Sequence, residues 1–231
     1  MAIAEITPQL LDVKVPVGSS GVVIPAPRTS GEVTAPNRSH FGDRLLAGLL
    51  LFALLPVFLV IALLIKVGSR GPVFFSQDRV GLHGQLFPFF KFRTMVPGAD
   101  ALRDEALGTP DEDMTDQYRS DPRITRVGNF LRRWSLDELP QLLNVLRGEM
   151  AIVGPRPMLP REVALLERPH HRRHDATPGL TGLWQVSGRK ETTWTERMEL
   201  DLRYVDEQST RFDLDIIRRT VSVVLRGEGA Y

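Results

Sequence analysis

The chain has 231 residues, 42% of them hydrophobic, with 29 basic and 28 acidic side chains and a net charge of +1. So even a balance excludes a nucleic-acid binder working through a global positive field, and the aromatic residues lack the interleaving with basic ones that a single-strand binder uses. Cysteine is absent, which removes disulfides and thiolate metal sites and suits a reducing compartment.

Residues 1–40 alternate short apolar pieces with breakers. Pro16, Gly18, Gly21, Pro25, Pro27, Gly31 and Pro36 interrupt any regular element there. The expectation is a flexible tail, retained because it lacks the apolar core of a signal peptide.

Residues 45–65 carry no charge and are bounded by Asp43, Arg44 and Lys66. That length matches the ~20 residues a helix needs to cross hydrocarbon. Pro56 stands near its middle, where it removes a donor and frees the carbonyl of Phe52. Two readings compete: a kinked spanning helix, the commoner arrangement, and a re-entrant hairpin that breaks at Pro56 and returns. Both flanks are basic, with Arg38 and Arg44 before the run and Lys66, Arg70 and Arg79 after it. Charge asymmetry therefore fixes no crossing, and such flanks are what a hairpin would leave on one side. Physics alone leaves the choice open.

From residue 67 onward the chain is polar and patterned. Short strands are predicted over 73–76 and 86–91, around a turn bearing Gly81 and Gly84, and a short helix over 99–107. Leu139, Leu142, Leu143 and Leu146 form a helical stripe over 138–146, stopped by Gly148. Further helices are predicted over 196–207 and 214–225. The last carries Ile217, Val221, Val224 and Leu225 on one side and arginines near its ends, which fits packing on the core or, less commonly, lying along a membrane surface. Trp134, Trp184 and Trp194 read either as interface markers or as core and edge aromatics.

The adjacent carboxylates Asp137 and Glu138 are the candidates for chemistry. Asp137 as the N-cap of the following helix, or Ser135 and Glu138 as a capping box, explains them structurally, and a cap is the better reading of the residues alone. The functional reading has the pair share a divalent cation while one carboxylate attacks phosphorus, since Mg²⁺ binds through one or two carboxylates plus substrate phosphates. Arg123, Arg126, Arg132, Arg133 and Arg147 surround the pair in sequence, and arginine's fork suits phosphate, although most such arginines are surface charges. Arg156 differs because Pro155 and Pro157 flank it and restrict its backbone. Lys91 and Arg93 follow an apolar strand and are candidates to face the same site, or are simply solvated at a strand end. The tract from His170 to His174 lacks a third ligand, so a solvated basic turn is expected rather than a metal site.

The chain resembles the bacterial sugar transferases, the monotopic polyprenyl-phosphate phosphoglycosyl transferases of the short exopolysaccharide-initiating type. The motifs that carry this are Gly71-Pro72-Val73-Phe74-Phe75 with Gln77 and Arg79-Val80-Gly81; Lys91-Phe92-Arg93-Thr94-Met95; Asp121-Pro122-Arg123 running into Ser135-Leu136-Asp137-Glu138-Leu139-Pro140-Gln141; Asn144-Val145-Leu146-Arg147-Gly148 through Gly154-Pro155-Arg156-Pro157; and Pro178-Gly179-Leu180-Thr181-Gly182 onward to Asp201 and Tyr204. In order, they cover almost everything from about residue 41 on.

The resemblance implies a helix-rich α+β fold: an N-terminal re-entrant, Pro-broken membrane helix over 41–66, then a compact cytoplasmic catalytic domain over 67–231 with a small β-hairpin and amphipathic surface helices. It implies that Asp137 attacks the sugar-linked phosphate of a UDP-sugar and releases UMP, that Glu138 with Asp137 holds Mg²⁺, and that polyprenyl phosphate then collects the sugar phosphate. Lys91, Arg93, Arg132, Arg156 and Asp201 are implied as phosphate and nucleotide ligands. Galactose or glucose is the first expectation for the sugar, an N-acetylated amino sugar the alternative. The implied location is the cytoplasmic face of a bacterial inner membrane, with membrane lipid as a partner, no nucleic acid, and a homodimer allowed but not required. A catalytically silent scaffold of polysaccharide assembly is the competing class. Leu55 stands where the family usually has a serine before the proline, and Ala151 where it commonly has serine. The larger members carry several membrane helices in front, which are not expected for a chain of 231 residues.

Overall fold

The computed structural model describes residues 40–99, 121–188 and 192–226. The tail expected over 1–40 lies outside them except for His40, and the helix expected over 99–107 except for Ala99.

Helices α1 (Phe41–Ala53) and α2 (Leu55–Gly68) meet at a bend of 62°. The break falls at Leu54, two residues before the proline, because Pro56 is tolerated in the first turn of a new helix and not in the interior of a continuing one. Among the described residues no single helix is long and apolar enough to cross a membrane. Phe41, Leu45, Leu49, Phe52, Leu59, Leu63 and Val67 are all more than half exposed, an apolar surface far beyond scattered single residues. The opposite side is tied down. Ala47 is buried against the core that holds Leu142 and Val145, the Asp43 carboxylate accepts from the Ile152 amide at 3.3 Å, and the Arg44 guanidinium lies where a side chain on Gly148 would be.

Strands β1 (Phe74–Val80) and β2 (Leu86–Phe92) form the expected antiparallel hairpin. β1 runs four residues further than predicted, because Gln77, Asp78 and Arg79 hide its end behind a polar string. Its register sets Phe75 opposite Lys91 and Arg79 opposite Phe87. Arg79 and Lys91 thus both lie over the Phe89 ring, 5.3 and 5.4 Å from its centroid. Helix α3 (Arg126–Arg133), which the sequence pattern did not reveal, is capped by Thr125, whose hydroxyl accepts from the Gly128 amide at 2.9 Å. Ile61, Ile65, Phe92 and Leu131 join α2, β2 and α3 in one buried cluster, against which Leu136 and Leu139 pack.

Helix α4 (Gln141–Arg147) is fastened to β2 by Asn144, which is fully buried. Its side chain accepts from the Phe90 amide at 3.2 Å and donates to the Pro88 carbonyl and to Glu149, both at 2.6 Å. Gly148 ends α4 in the left-handed region, as its position predicts. β3 (Ala151–Val153) then pairs in parallel with β4 (Gly179–Thr181), where Gly154 and Gly179 approach so closely that neither tolerates a Cβ. A short α5 (Pro160–Val163) follows β3. The two late helices, α6 (Trp194–Glu207) and α7 (Thr210–Arg226), begin two and four residues earlier than predicted. Thr193 and Glu196 form a reciprocal capping box that starts α6. α7 buries Ile216 yet leaves Leu214, Val221 and Leu225 more than half exposed, so core packing accounts for one side only.

Asn144→Ala leaves the Phe90 amide and the Pro88 carbonyl without partners in a buried place, so it should cost about 2–4 kcal/mol. Denaturant unfolding of the detergent-solubilised protein checks this, and a loss below about 0.5 kcal/mol would contradict the fastening role.

Candidate active site

The two carboxylates lie on a single 3₁₀ turn, Leu136–Glu138, between α3 and α4. Neither capping arrangement forms. Pro140 occupies the N-cap of α4, and Ser135 makes no side-chain cap bond. Ser135 instead adopts a left-handed backbone (φ 54°, ψ 21°), a conformation that costs a non-glycine residue of order 1 kcal/mol and persists where surrounding contacts enforce it. Those contacts are the Arg132 carbonyl, which accepts from the Ser135 amide at 3.0 Å, and the packing of Leu136 and Leu139 on either side.

The consequence for the two acids is unequal. Asp137 is buried, and no hydrogen bond or ion pair holds its carboxylate among the described residues. Burial raises its carboxyl above the ordinary range. Lys91 opposes that shift, Glu138 adds to it, Arg132 and Arg156 oppose it again, and burial prevails. Burial acts on Glu138 in the same sense but is overcome. Arg156 grips it in a two-pronged contact at 2.7 and 3.3 Å, and Lys91 donates to it at 3.0 Å. Their charges and hydrogen bonds hold Glu138 far below the usual carboxylate range. Burial lowers the Lys91 ammonium despite this contact.

Of the other expected ligands, Arg132 is close enough for its charge to act on Asp137, with its Nε donating to the Thr94 hydroxyl at 2.9 Å. Arg93 is not brought to the pair. It lies just past the end of β2, and its guanidinium turns back over Gly71 to the Ser69 and Arg70 carbonyls, filling space that Gly71 vacates at φ +116°. Asp201 is also elsewhere. It is wholly buried on α6 and receives Arg173, whose Nη2 also donates to the backbone carbonyl of Arg156 at 2.7 Å.

That contact corrects the reading of the basic tract as a solvated turn. Arg173 and His174 are both buried in a 3₁₀ segment, Arg168–Asp175. Burial is tolerated because Asp201 neutralises Arg173, while burial and the Arg173 charge push the His174 imidazole down to about 3, so it stays neutral. Trp194 packs at the edge of the cluster of Val80, Met158 and Met198.

Two participants were not among the expected ligands. Arg79 donates to the Pro157 carbonyl at 3.2 Å and lies 3.6 Å from Glu162. Counting alternate residues back from Lys91 across the hairpin would have put it on the same face, had the register been known. Arg173 carried no signal of its own within a run of histidines and arginines.

Lys91, Arg132 and Arg156 thus converge on Asp137 and Glu138, a cluster with cations in excess of carboxylates, suited to receiving phosphate oxygens. Such a cluster, seated on a helix-rich α+β frame with a small hairpin, describes a group transferase acting on phosphorylated substrates. The chain belongs to the bacterial sugar transferase family, whose signature matches residues 37–227. It is 41% identical over 194 residues to the exopolysaccharide production protein ExoY of Sinorhizobium fredii (strain NBRC 101917 / NGR234), covering 82% of this chain and 86% of that protein. It is 42% identical over 197 residues to the UDP-glucose:undecaprenyl-phosphate glucose-1-phosphate transferase of Escherichia coli K12, covering 82% of this chain and 40% of that protein. It is 42% identical over 166 residues to the undecaprenyl-phosphate galactose phosphotransferase of Salmonella typhimurium (strain LT2), covering 70% of this chain and 35% of that protein.

Because the folded carboxyl of Asp137 binds its proton more tightly than an unfolded one, wild-type stability should fall as pH rises from about 4 through the raised folded value. Asp137→Asn abolishes that slope. Its melting temperature should come closest to wild type at pH below about 3, where the carboxyl is protonated in both states, and exceed it by a margin that grows until the pH passes the raised folded value. A constant difference across this range would contradict the burial-driven shift.

Proposed function

We propose that the protein transfers a hexose 1-phosphate from a UDP-sugar to undecaprenyl phosphate or a similar polyprenyl phosphate, releasing UMP. The observation that carries this reading is the inequality of the two acids: an unbonded, buried Asp137 beside a Glu138 fixed by Lys91 and Arg156. A carboxylate without hydrogen bonds and largely removed from water is a stronger nucleophile, and its raised pKa marks the same partial desolvation. An Asp137 oxygen attacks the sugar-bearing phosphorus, forming the O–P bond while the bond from that phosphorus to the bridging oxygen breaks. UMP leaves with that oxygen. A polyprenyl phosphate oxygen then attacks the same phosphorus, breaks the bond to Asp137, and restores the carboxylate. Lys91, Arg132 and Arg156 stabilise charge moving onto the phosphate oxygens.

The residues fit Mg²⁺. Among the described residues no group of three metal-binding side chains exists, but the two carboxylates offer hard oxygen donors, one of them unbonded, with the substrate's phosphates to complete the shell. Glu138 and Asp137 would hold the ion, and its charge would help neutralise the diphosphate. Galactose and glucose are the favoured sugars, in keeping with the names of the relatives from Salmonella typhimurium and Escherichia coli.

The bent helix pair serves as a membrane element that enters and leaves by the cytoplasmic face of the inner membrane. The 62° bend, the exposed apolar side chains and the basic residues at both ends support this, and it sets the site beside the headgroup of a lipid substrate.

The test is UMP release by purified protein in lipid with Mg²⁺, polyprenyl phosphate and a panel of UDP-sugars. Release with UDP-galactose or UDP-glucose is expected, falling at least ~10³-fold in Asp137→Ala. Glu138→Gln should weaken the dependence on Mg²⁺. Full turnover by Asp137→Asn would sink the nucleophile assignment.

Since the chain has no cysteine, one introduced at Ser39 is a unique probe of topology. A membrane-impermeant thiol reagent should label it in opened vesicles but not in intact cells, and labelling from outside would rule out the hairpin.

A further inference from the structure

We infer that Arg173 is a positioning residue for this reaction: clamped by Asp201, it fixes the backbone of Arg156 and through it the grip on Glu138. The inference rests on the phosphoryl-transfer reading above and adds a residue from outside the motifs that suggested it.

Arg156 stands between Pro155 and Pro157, and neither proline has an N–H with which to anchor the turn. The carbonyl groups anchor it instead: that of Pro155 accepts from the Gly179 amide at 3.0 Å, and the other two are held by arginines. Arg173 Nη2 donates to the Arg156 carbonyl at 2.7 Å, and Arg79 Nη1 donates to the Pro157 carbonyl at 3.2 Å. Arg173 is itself immobilised. Its Nε and Nη2 both reach one oxygen of Asp201, at 3.1 and 2.5 Å, and the two side chains are essentially sealed from solvent. A guanidinium is one of the few side chains that can hold a carboxylate and still donate to a carbonyl. The chain of contact runs from α6 through the 3₁₀ segment to the turn after β3, and ends at Glu138, 2.7 Å from Arg156 Nη2. Asp201, with no exposed surface, therefore acts by orienting Arg173.

A shift of about 1 Å in a positioned group is enough to cost ~10²-fold in rate, so the turn's exact seat matters. Arg173→Lys keeps a charge for Asp201 but loses the fork that reaches the carbonyl. R173M/D201L removes both charges together, which buried pairs tolerate far better than loss of one partner, and supplies a folded variant should Arg173→Lys fail to fold. Each is measured by UMP release, alone and combined with Arg156→Ala.

A roughly 10²-fold fall in kcat/KM is expected in the Arg156 background, and little further fall once Arg156 is already alanine, because the effect passes through that residue. A purely structural role would lower activity by the same factor in both backgrounds, and that additivity overturns the inference. So does a folded variant with wild-type kcat/KM. If wild-type protein releases no UMP from any donor, the failure belongs to the proposed reaction and not to Arg173.

Discussion

Everything around the two acids depends on the three-way contact at Glu138. One carboxylate joins β2 through Lys91 to the turn after β3 through Arg156. Neither cation comes from an element adjacent in sequence to the acid. The contact thus fixes the relative placement of the hairpin, the 3₁₀ turn and the parallel strand pair around the two acids. A partly buried ion pair of this kind gives little net stability once desolvation is counted. Its value is in geometry, because a preorganised cation needs no rearrangement when charge develops.

Asp137 shows the opposite solution. The neighbouring residue takes the available cations, and Asp137 is left buried and unbonded. The same turn stores further strain in the left-handed Ser135, and Gln141, at the start of α4, is fully buried with neither amide atom bonded among the described residues. Three unfavourable features within a few residues run against folding and are typical of a place selected for reactivity. The stable parts lie just beyond: Leu136 and Leu139 in the cluster with Phe92 and Leu131, and Asn144 stitching α4 to β2.

Much of this was legible in the sequence. The uncharged run, its break at a proline, the hairpin around Gly81 and Gly84, and the stop at Gly148 each follow from local chemistry that the chain cannot evade. The acidic pair was visible, but its meaning was not. Spacing alone favoured a cap, and only the late start of α4 at Gln141 removes that role. Arg93 was a candidate to face the same site as Lys91 because both follow an apolar strand; the strand ends at Phe92, and the Arg93 guanidinium turns back to the Ser69 and Arg70 carbonyls, a course that no local spacing encodes. The basic tract was misread for a different reason. Whether Arg173 is solvated or buried depends on Asp201, far along the chain on α6, and no local pattern encodes a partner at that separation.

The anchoring of α1 has a practical corollary. Asp43 reaches the Ile152 amide and Arg44 covers Gly148, while Ile61 and Ile65 on α2 close the cluster over Phe92 and Leu131. The greasy hairpin is consequently no detachable tether. A shortened clone that begins after Gly68, designed to spare the biochemist a detergent, would open the underside of the turn that carries Asp137 and Glu138 to water and discard the wall on which Leu136 and Leu139 rest.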